Sequence, residues 1–581
     1  MDTRRTIITK TKRWGISTTL PAFPLSIDLS VWLPQTIIVI AILVATCIYL
    51  WPSPFEFPMD DSYIHFVYAE NLSERGGLFF NDPGEKGVGT SSLLWVLILA
   101  AGNWAGFSMH WLAKLVGITC LAAVGIGLYH LLRPLLSLWV ALAVSLLVIL
   151  SGHMLWFALS GMETMLFLAL GILALLSYRE QRWAWLGIAL GLMIITRLEG
   201  IILVFVIAGF DIWRHKAVQS EMLFAVAVSG LIFCPWLLYL RLRTGYFLPT
   251  SGIGRHFSNI IAIQVATERI ASLAWLSRFP ALAFPLTWIG YSIEFVLGGF
   301  ALPAPYFYIN PGVGTFSYKL SLWAILGLTT VVLPLLWIST KRLVILFKTP
   351  GWEKDEARLP LVIFFVWTVL HNLCYMIYLP IIGASSRYIC LNHIALWLAL
   401  GVGILIIHKP RYKVWSTAWI IAIALANLLY WNRVYDANLE HMLKVRIAAA
   451  EYMREQGPAS ETCAAFDIGA LRYYSQRPLI DLGGLIDPNM FQWVAEGKPE
   501  RYLLENGVTC LAIPGRTGTN TDGVIDIAKE AGFVNSSLLE LQQVKVFQID
   551  RERWLLGYLP TMNYQATVTI YKLVEKNSSE Y

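Results

Sequence analysis

The chain has 581 residues, 57% of them hydrophobic and only 14% charged, with a mean hydropathy of +0.59. Soluble globular chains carry about a quarter charged residues, so a cytosolic enzyme and an intrinsically disordered chain are both excluded and the long apolar runs read as a multi-spanning membrane protein. The net charge of +6 is spread over loop-sized clusters; this argues against nucleic-acid binding and assigns Lys and Arg to orientation in the bilayer.

Arg4, Arg5, Lys10, Lys12 and Arg13 precede an apolar run over 31–50. At about 20 residues the run is long enough to span and has no A-x-A-like exit, so it reads as a retained first helix with its basic flank, 1–30, in the cytoplasm. Residues 52–109 then form the first outer loop. Further spans are expected near 110–132, 136–150, 162–178, 183–196, 200–213, 221–241, 319–340, 360–380, 387–408 and 412–432, about eleven in all. This parity puts Arg133, Arg179, Arg182, Arg214, Lys216 and the basic clusters at 341–358 and 409–413 inside; Arg241 and Arg243 alone break the rule. Residues 91–106 are short for a span and read as a helix in the outer interface. Residues 279–301, broken by Pro280, Pro285, Gly290, Gly298 and Gly299, read as a re-entrant or interfacial segment within a long outer loop, 244–318.

Beyond about residue 440 the text becomes polar and helical, then breaks into short strand-like runs (TCAAFDI, RPLIDL, VTCLAI, QVKVFQI and ATVTIYKLV). Residues 433–581 read as a small α/β domain, placed outside the cell by the odd number of spans before it. The cysteines show no CxxC or zinc spacing. Cys463 and Cys510 could pair in an extracytoplasmic domain, but both lie in strand-like apolar runs where unpaired buried Cys is common. Gly87-Val88-Gly89 lacks the third glycine and the preceding strand of a dinucleotide loop, and neither HExxH nor GxSxG occurs. The chemistry is therefore neither nucleotide-fuelled nor that of a serine triad.

The first outer loop carries Glu56, Asp60, Asp61, Glu70, Glu74, Asp82 and Glu85 against Arg75 and Lys86. Asp60, soon after Pro58, fits a helix N-cap, and negative charge there is favourable by about 0.3–1 kcal/mol. Adjacent residues do not share a helix face, so Asp60 and Asp61 are expected to do different jobs, one facing a cavity while the other caps or binds a cation.

The stretch MDDSYIHFVYAENLSERGGLFFNDPGEKGVGTSSLLW resembles the first-loop signature of GT-C membrane glycosyltransferases, most closely the subset that includes arabinofuranosyltransferases. Protein O-mannosyltransferases and the aminoarabinose transferase of lipid A are more distant. Ser160-Gly161-Met162-Glu163-Thr164 resembles a second acidic motif of these enzymes, and Thr196-Arg197-Leu198-Glu199-Gly200 a TRPEG-type turn with Leu198 where Pro is common. Residues 248–255 resemble an LPNTxxAK-type loop whose middle departs from the pattern, which leaves Thr250 and Ser251 without an assigned role. Asp467-Ile468-Gly469-Ala470 and Asp481-Leu482-Gly483-Gly484 resemble the opening of an appended soluble domain.

The resemblance implies a mostly helical, polytopic bundle of GT-C type over 31–432 in the cell membrane, with the C-terminal domain outside. It implies an inverting transferase using a polyprenyl-phosphate sugar in the outer leaflet, with a glycan, lipid or protein hydroxyl as acceptor. Such a reaction needs a carboxylate within reach of the acceptor hydroxyl, negative charge beside an oxocarbenium-like transition state, and arginine forks for the departing phosphate. On this reading Asp60 is the general base, Asp61 assists it or holds a cation, and Glu163 orients base or acceptor. Arg255, Arg387 and Arg197 are the phosphate candidates. A divalent cation is compatible with the acidic loop, but no oxygen cage identifies one and the metal stays unknown. Each residue also has a structural reading: Glu163 at a helix N-terminus, Arg197 and Glu199 as an ion pair within the bundle, Arg387 snorkelling to headgroups, and His65 as a packing residue. The alternatives to a glycosyltransferase are a surface-glycan ligase or polymerase, and a transporter or flippase of lipid-linked glycans.

Overall fold

The computed structural model describes residues 29–51, 53–269, 279, 282–289, 292, 308–310, 315–317, 328–348, 355–381, 383–458, 461–487, 489–490, 493, 496, 498–517, 524–526, 538–561 and 566–576. The basic segment 1–28 and most of 279–301 lie outside the described residues. Helix α1 (Leu29–Leu50) leads into the first loop, which holds α2 (Asp61–Arg75) and α3 (Leu93–Trp104). The bundle continues with α4 (Met109–Leu132), α5 (Leu138–Ile149), α6 (Gly152–Leu159), α7 (Thr164–Arg179), α8 (Trp183–Thr196), α9 (Ile201–His215), α10 (Ser220–Thr244) and α11 (Thr250–Arg269). Its later helices are α12 (Leu333–Lys348), α13 (Leu359–Tyr378), α14 (Cys390–Ile406) and α15 (Pro410–His441).

Among the described residues six helices are long and apolar enough to cross a membrane, or seven when α5 and α6, bent by 59° at their break, count as one span. Hydropathy alone leads one to expect about eleven, and the difference lies largely in length. Helices α7, α8 and α9 have 16, 14 and 15 residues. At 1.5 Å per residue they are roughly 21–24 Å long, short of a hydrocarbon core of about 30 Å. Helix α3, with 12 residues, is shorter still and starts where the Ser92 hydroxyl accepts from the Trp95 amide at 3.4 Å. The largest apolar cluster joins α1, α4 to α10 and α12 to α15, with Trp156, Trp367, Trp397 and Trp431 fully buried in it.

Helix α15 runs through a π-helical turn, Met442–Ile447, into α16 (Ala448–Gln456). The sheet that follows is built from β1 (Cys463–Ala465), β2 (Leu479–Asp481), β3 (Cys510–Thr517), β4 (Val524–Asp526), β5 (Leu539–Gln548) and β6 (Thr567–Glu575), in the order β2-β1-β3-β6-β5 with β4 paired to β3. Strands β1, β2 and β3 are parallel, and α17 (Gly469–Ser475) forms the crossover from β1 to β2. The remaining pairings are antiparallel. Cys463 and Cys510 are direct partners in the β1–β3 register and form a disulfide. The cysteine pair that strand-like context alone leaves open is thus closed by register. A last helix, α18 (Arg551–Thr561), returns to α15, where Arg553 pairs with Asp436 and, at 2.6 Å, with Glu440.

Candidate active site

The two aspartates at the start of α2 are separated by the helix itself, since successive residues turn by about 100°. Asp60 occupies the N-cap position without a capping side-chain bond. Its carboxylate, 1% exposed, instead accepts from the Gly469 and Ala470 amides at 2.8 Å each, where α17 begins. Burial raises its pKa to about 7, helped by Asp467 and opposed by Arg446 and the Ala470 amide. Arg446 in turn bridges Asp467 and the His441 ring. Asp60 therefore docks the C-terminal domain onto the first loop and does not line the cavity described next, contrary to the expectation that it supplies the base.

Asp61 does line that cavity. Asp61, Ile64 and His65 lie on one face of α2 and open onto a space of about 470 Å³ between the first loop, the α8–α9 break, α10, the start of α11 and the residues before α14. The Asp61 carboxylate pairs with the Arg387 guanidinium and has Arg255 at 3.8 Å. Burial pushes its pKa up, but these two guanidiniums outweigh burial and hold it at about 2. Arg387, 6% exposed, is presented by a short 3-10 turn in which Ser386 adopts a left-handed φ of 61°. For a non-glycine residue that conformation costs about 1–2 kcal/mol, and strain of this kind is characteristic of functional sites.

Glu163, 3% exposed, stands at the N-cap of α7. Its Oε2 is 3.4 Å from His65 Nε2 and its Oε1 3.6 Å from Arg197 Nη1. His65 is fixed from its other side by Thr90, Nδ1 to Oγ1 at 2.9 Å. Arg197 sits in extended backbone at the α8–α9 break. It donates through Nε to Glu199 at 2.6 Å and through Nη2 to the Tyr375 hydroxyl at 2.8 Å, and that hydroxyl donates to Glu199 at 2.6 Å. The pair foreseen as structural is therefore a closed triangle on the cavity wall. Among the described residues Arg387 Nε is buried with no hydrogen-bond partner, which is unusual in a folded protein, and Arg197 Nη1 and Glu163 Oε2 make the longer ion-pair contacts just given. Ile201, Phe233, Leu237 and Phe247 make up much of the remaining wall.

Asp61, Glu163, Arg197, Arg255 and Arg387 thus converge on one cavity, whereas Asp60 faces the C-terminal domain. Tyr375 and Tyr388 are site residues that sequence reasoning missed. An aromatic residue near a span end looks like any interfacial anchor, and only the neighbouring Arg387 hinted at Tyr388. The arginines that break the positive-inside pattern serve the loops: Arg243 donates to the Pro83 carbonyl at 2.5 Å and Arg241 to that of Gly245. Asn71, which heads an Asn-Leu-Ser triplet, is buried and donates to the Phe79 and Phe80 carbonyls, so it is closed to glycosylation. Among the described residues the cluster with metal-ligand spacing is Glu461, Cys463 and Cys510, whose cysteines are the disulfide.

Residues 432–568 match a family described as a domain of unknown function (DUF8728). No curated protein matches the chain. Among solved structures, the apo oligosaccharyltransferase of Archaeoglobus fulgidus is similar with a TM-score of 0.53 and 13% identity, over 94% of this chain and 89% of that one. The same archaeal enzyme, AglB, in complex with an inhibitory peptide and a dolichol-phosphate, is similar with a TM-score of 0.52 and 13% identity over the same shares. ArnT from Cupriavidus metallidurans bound to undecaprenyl phosphate has a TM-score of 0.49 and 13% identity, over 92% of this chain and 98% of that one. The two oligosaccharyltransferase structures show that this chain shares the fold of that archaeal protein.

Proposed function

We propose that the protein is an inverting glycosyltransferase that moves a sugar from a polyprenyl-phosphate donor to an acceptor hydroxyl at the outer face of the membrane. The observation that carries this reading is the Asp61 carboxylate held between Arg387 and Arg255 in a cavity with a largely apolar wall. A lipid-linked phosphate needs both parts: guanidinium forks for its oxygens and apolar surface for the first prenyl units. The dolichol-phosphate bound by the archaeal oligosaccharyltransferase of similar fold supports the same class of donor.

The chemistry follows from what each side chain can exchange. The acceptor oxygen attacks the anomeric carbon from the face opposite the phosphate. The C1–O bond to phosphate breaks, the lipid phosphate leaves with the electron pair, and the configuration inverts. Arg387 and Arg255 take the growing negative charge on the phosphate. In doing so they let go of Asp61, whose pKa is low because of those two cations. Donor binding therefore raises the basicity of Asp61 and readies it to accept the hydroxyl proton. Glu163, kept ionised by His65 and Arg197, supplies negative charge near the oxocarbenium-like centre. Arg197, tied to Glu199 and Tyr375, serves as a fixed counter-charge, with Nη1, 3.6 Å from Glu163, on the side that a phosphate oxygen would approach. Asp60 keeps the domain that covers the site in place. We assign the N-terminus to the cytoplasm and residues 433–581 to the outside, where the donor's sugar is carried.

The test is direct transfer. The protein in lipid nanodiscs is given a panel of radiolabelled polyprenyl-phosphate sugars with membrane extract as acceptor. Label should leave one of the lipids only when the protein is present and Asp61 and Arg387 are intact. If only long pre-assembled glycans on lipid are consumed, the ligase or polymerase reading replaces this one. If intact lipid crosses the bilayer without bond cleavage, the flippase reading does.

A further inference from the structure

We propose that the tongue Gly483–Ile486 of the C-terminal domain positions Arg255, so that phosphate binding depends on that domain being docked. The proposal rests on the phosphate reading of Arg255 given above and adds a cause for its placement. The tongue is shaped from within: the Asp481 carboxylate accepts from the Gly483 amide at 2.8 Å and from the Ile486 amide at 2.7 Å. Leu485 then reaches the cavity wall beside Gly89 and the first turn of α11, one turn before Arg255.

Thr250 ties three chain segments together at this point. Its hydroxyl donates to the Leu485 carbonyl at 2.8 Å and accepts from the Val88 amide at 2.9 Å, while its own amide donates to the Val88 carbonyl at 3.0 Å. Two glycines allow the approach. A Cβ on Gly254 would lie 2.1 Å from the Gly484 carbonyl oxygen, and one on Gly87 would lie 1.7 Å from that of Ile486; neither backbone can yield without the tongue moving. Gly87 belongs to the Gly87-Val88-Gly89 segment and Gly254 to the 248–255 loop. Both have one use here, to seat the tongue against the residue before Arg255. Thr250 and Gly254 are positioning residues, acting on phosphate through Arg255.

The experiment measures binding of undecaprenyl phosphate to the full-length protein in detergent. Thr250→Val keeps the volume of the side chain and removes the hydroxyl. The variant removes both hydroxyl hydrogen bonds, the one to Leu485 and the one from Val88, so binding should weaken about 3–10-fold, and Thr250→Ser should restore it. Gly254→Ala, which leaves the Thr250 hydroxyl in place and displaces the tongue sterically, should weaken binding to at least the same degree. Neither Thr250→Val nor Gly254→Ala should weaken it further in an Arg255→Ala background, because the residue they act through is gone. An equal loss in both backgrounds, or no loss in either, overturns the proposal. If Arg255→Ala alone binds like wild type, the phosphate assignment of Arg255 fails first and the positioning role falls with it.

Discussion

Replacing Asp60 and Asp61 separately by Asn should divide stability from chemistry. The Asp60 carboxylate is raised to a pKa of about 7, so in an assay held a unit or more below that pH neutralising it changes little in charge. Its geometry, however, cannot be copied. Two amides, Gly469 and Ala470, each need an oxygen at 2.8 Å, and Asn offers one oxygen and an NH₂ group that must face the second amide. A buried donor left unsatisfied costs about 1–3 kcal/mol, and that cost should appear as a lower melting temperature with turnover largely kept in the folded fraction. Asp61→Asn removes the proton acceptor facing the cavity. General-base catalysis is worth about 10²–10⁴-fold, so turnover should fall within that range. The variant also leaves Arg387, 6% exposed, beside a neutral amide; removing one partner of a buried pair costs about 3–5 kcal/mol, an upper bound here because the Asn oxygen still accepts. The assay is single-turnover loss of label from a polyprenyl-phosphate sugar, run beside thermal unfolding on purified protein. A folded Asp61→Asn protein at full rate, with Asp60→Asn slowed a hundredfold and equally stable, would refute the division of labour between the two carboxylates.

Arg387→Ala should weaken donor use at limiting donor, and Arg387→Lys should recover only part of it for want of the planar fork; wild-type turnover in both would remove Arg387 from the phosphate site. The contribution of Asp60 to stability depends on pH with a definite sign. Its folded pKa, about 7, lies above its ordinary 3.8, so between those values the folded protein holds a proton that the unfolded chain has lost. Stability from this group is full below about pH 4 and declines as pH rises to about 7; melting curves across that window should slope for wild type and flatten for Asp60→Asn. The Cys463–Cys510 bridge closes a sequence separation of 47 residues, so reduction should destabilise the C-terminal domain by about 2–4 kcal/mol, read as a lower urea midpoint. In intact cells an impermeant thiol reagent should label a cysteine placed at Asp82 and spare one at Arg411; the reverse pattern inverts the orientation.

Much of the architecture is determined by the sequence acting locally. Apolar runs of about 20 residues can only be spanning or buried helices, and the alternation in 567–575 belongs to a strand, which β6 occupies. The start of α2 follows from Asp60 after Pro58, and the acidic loop, the Glu163 motif and the Arg197 turn are legible because their charges interrupt hydrophobic text. What the tertiary structure decided is which of these groups meet. Asp60 and Asp61 are the same residue type in adjacent positions, and the first is drawn from the cavity by amides 409 and 410 residues further along the chain. Tyr375 enters the site through Arg197, 178 residues before it, and Thr250 through Leu485, 235 residues after it. Cys463 and Cys510 bond because two parallel strands happen to align there. Local preference operates over about one helical turn or one strand pair, whereas facing, docking and desolvation come from contacts between segments hundreds of residues apart, which no window along the chain contains.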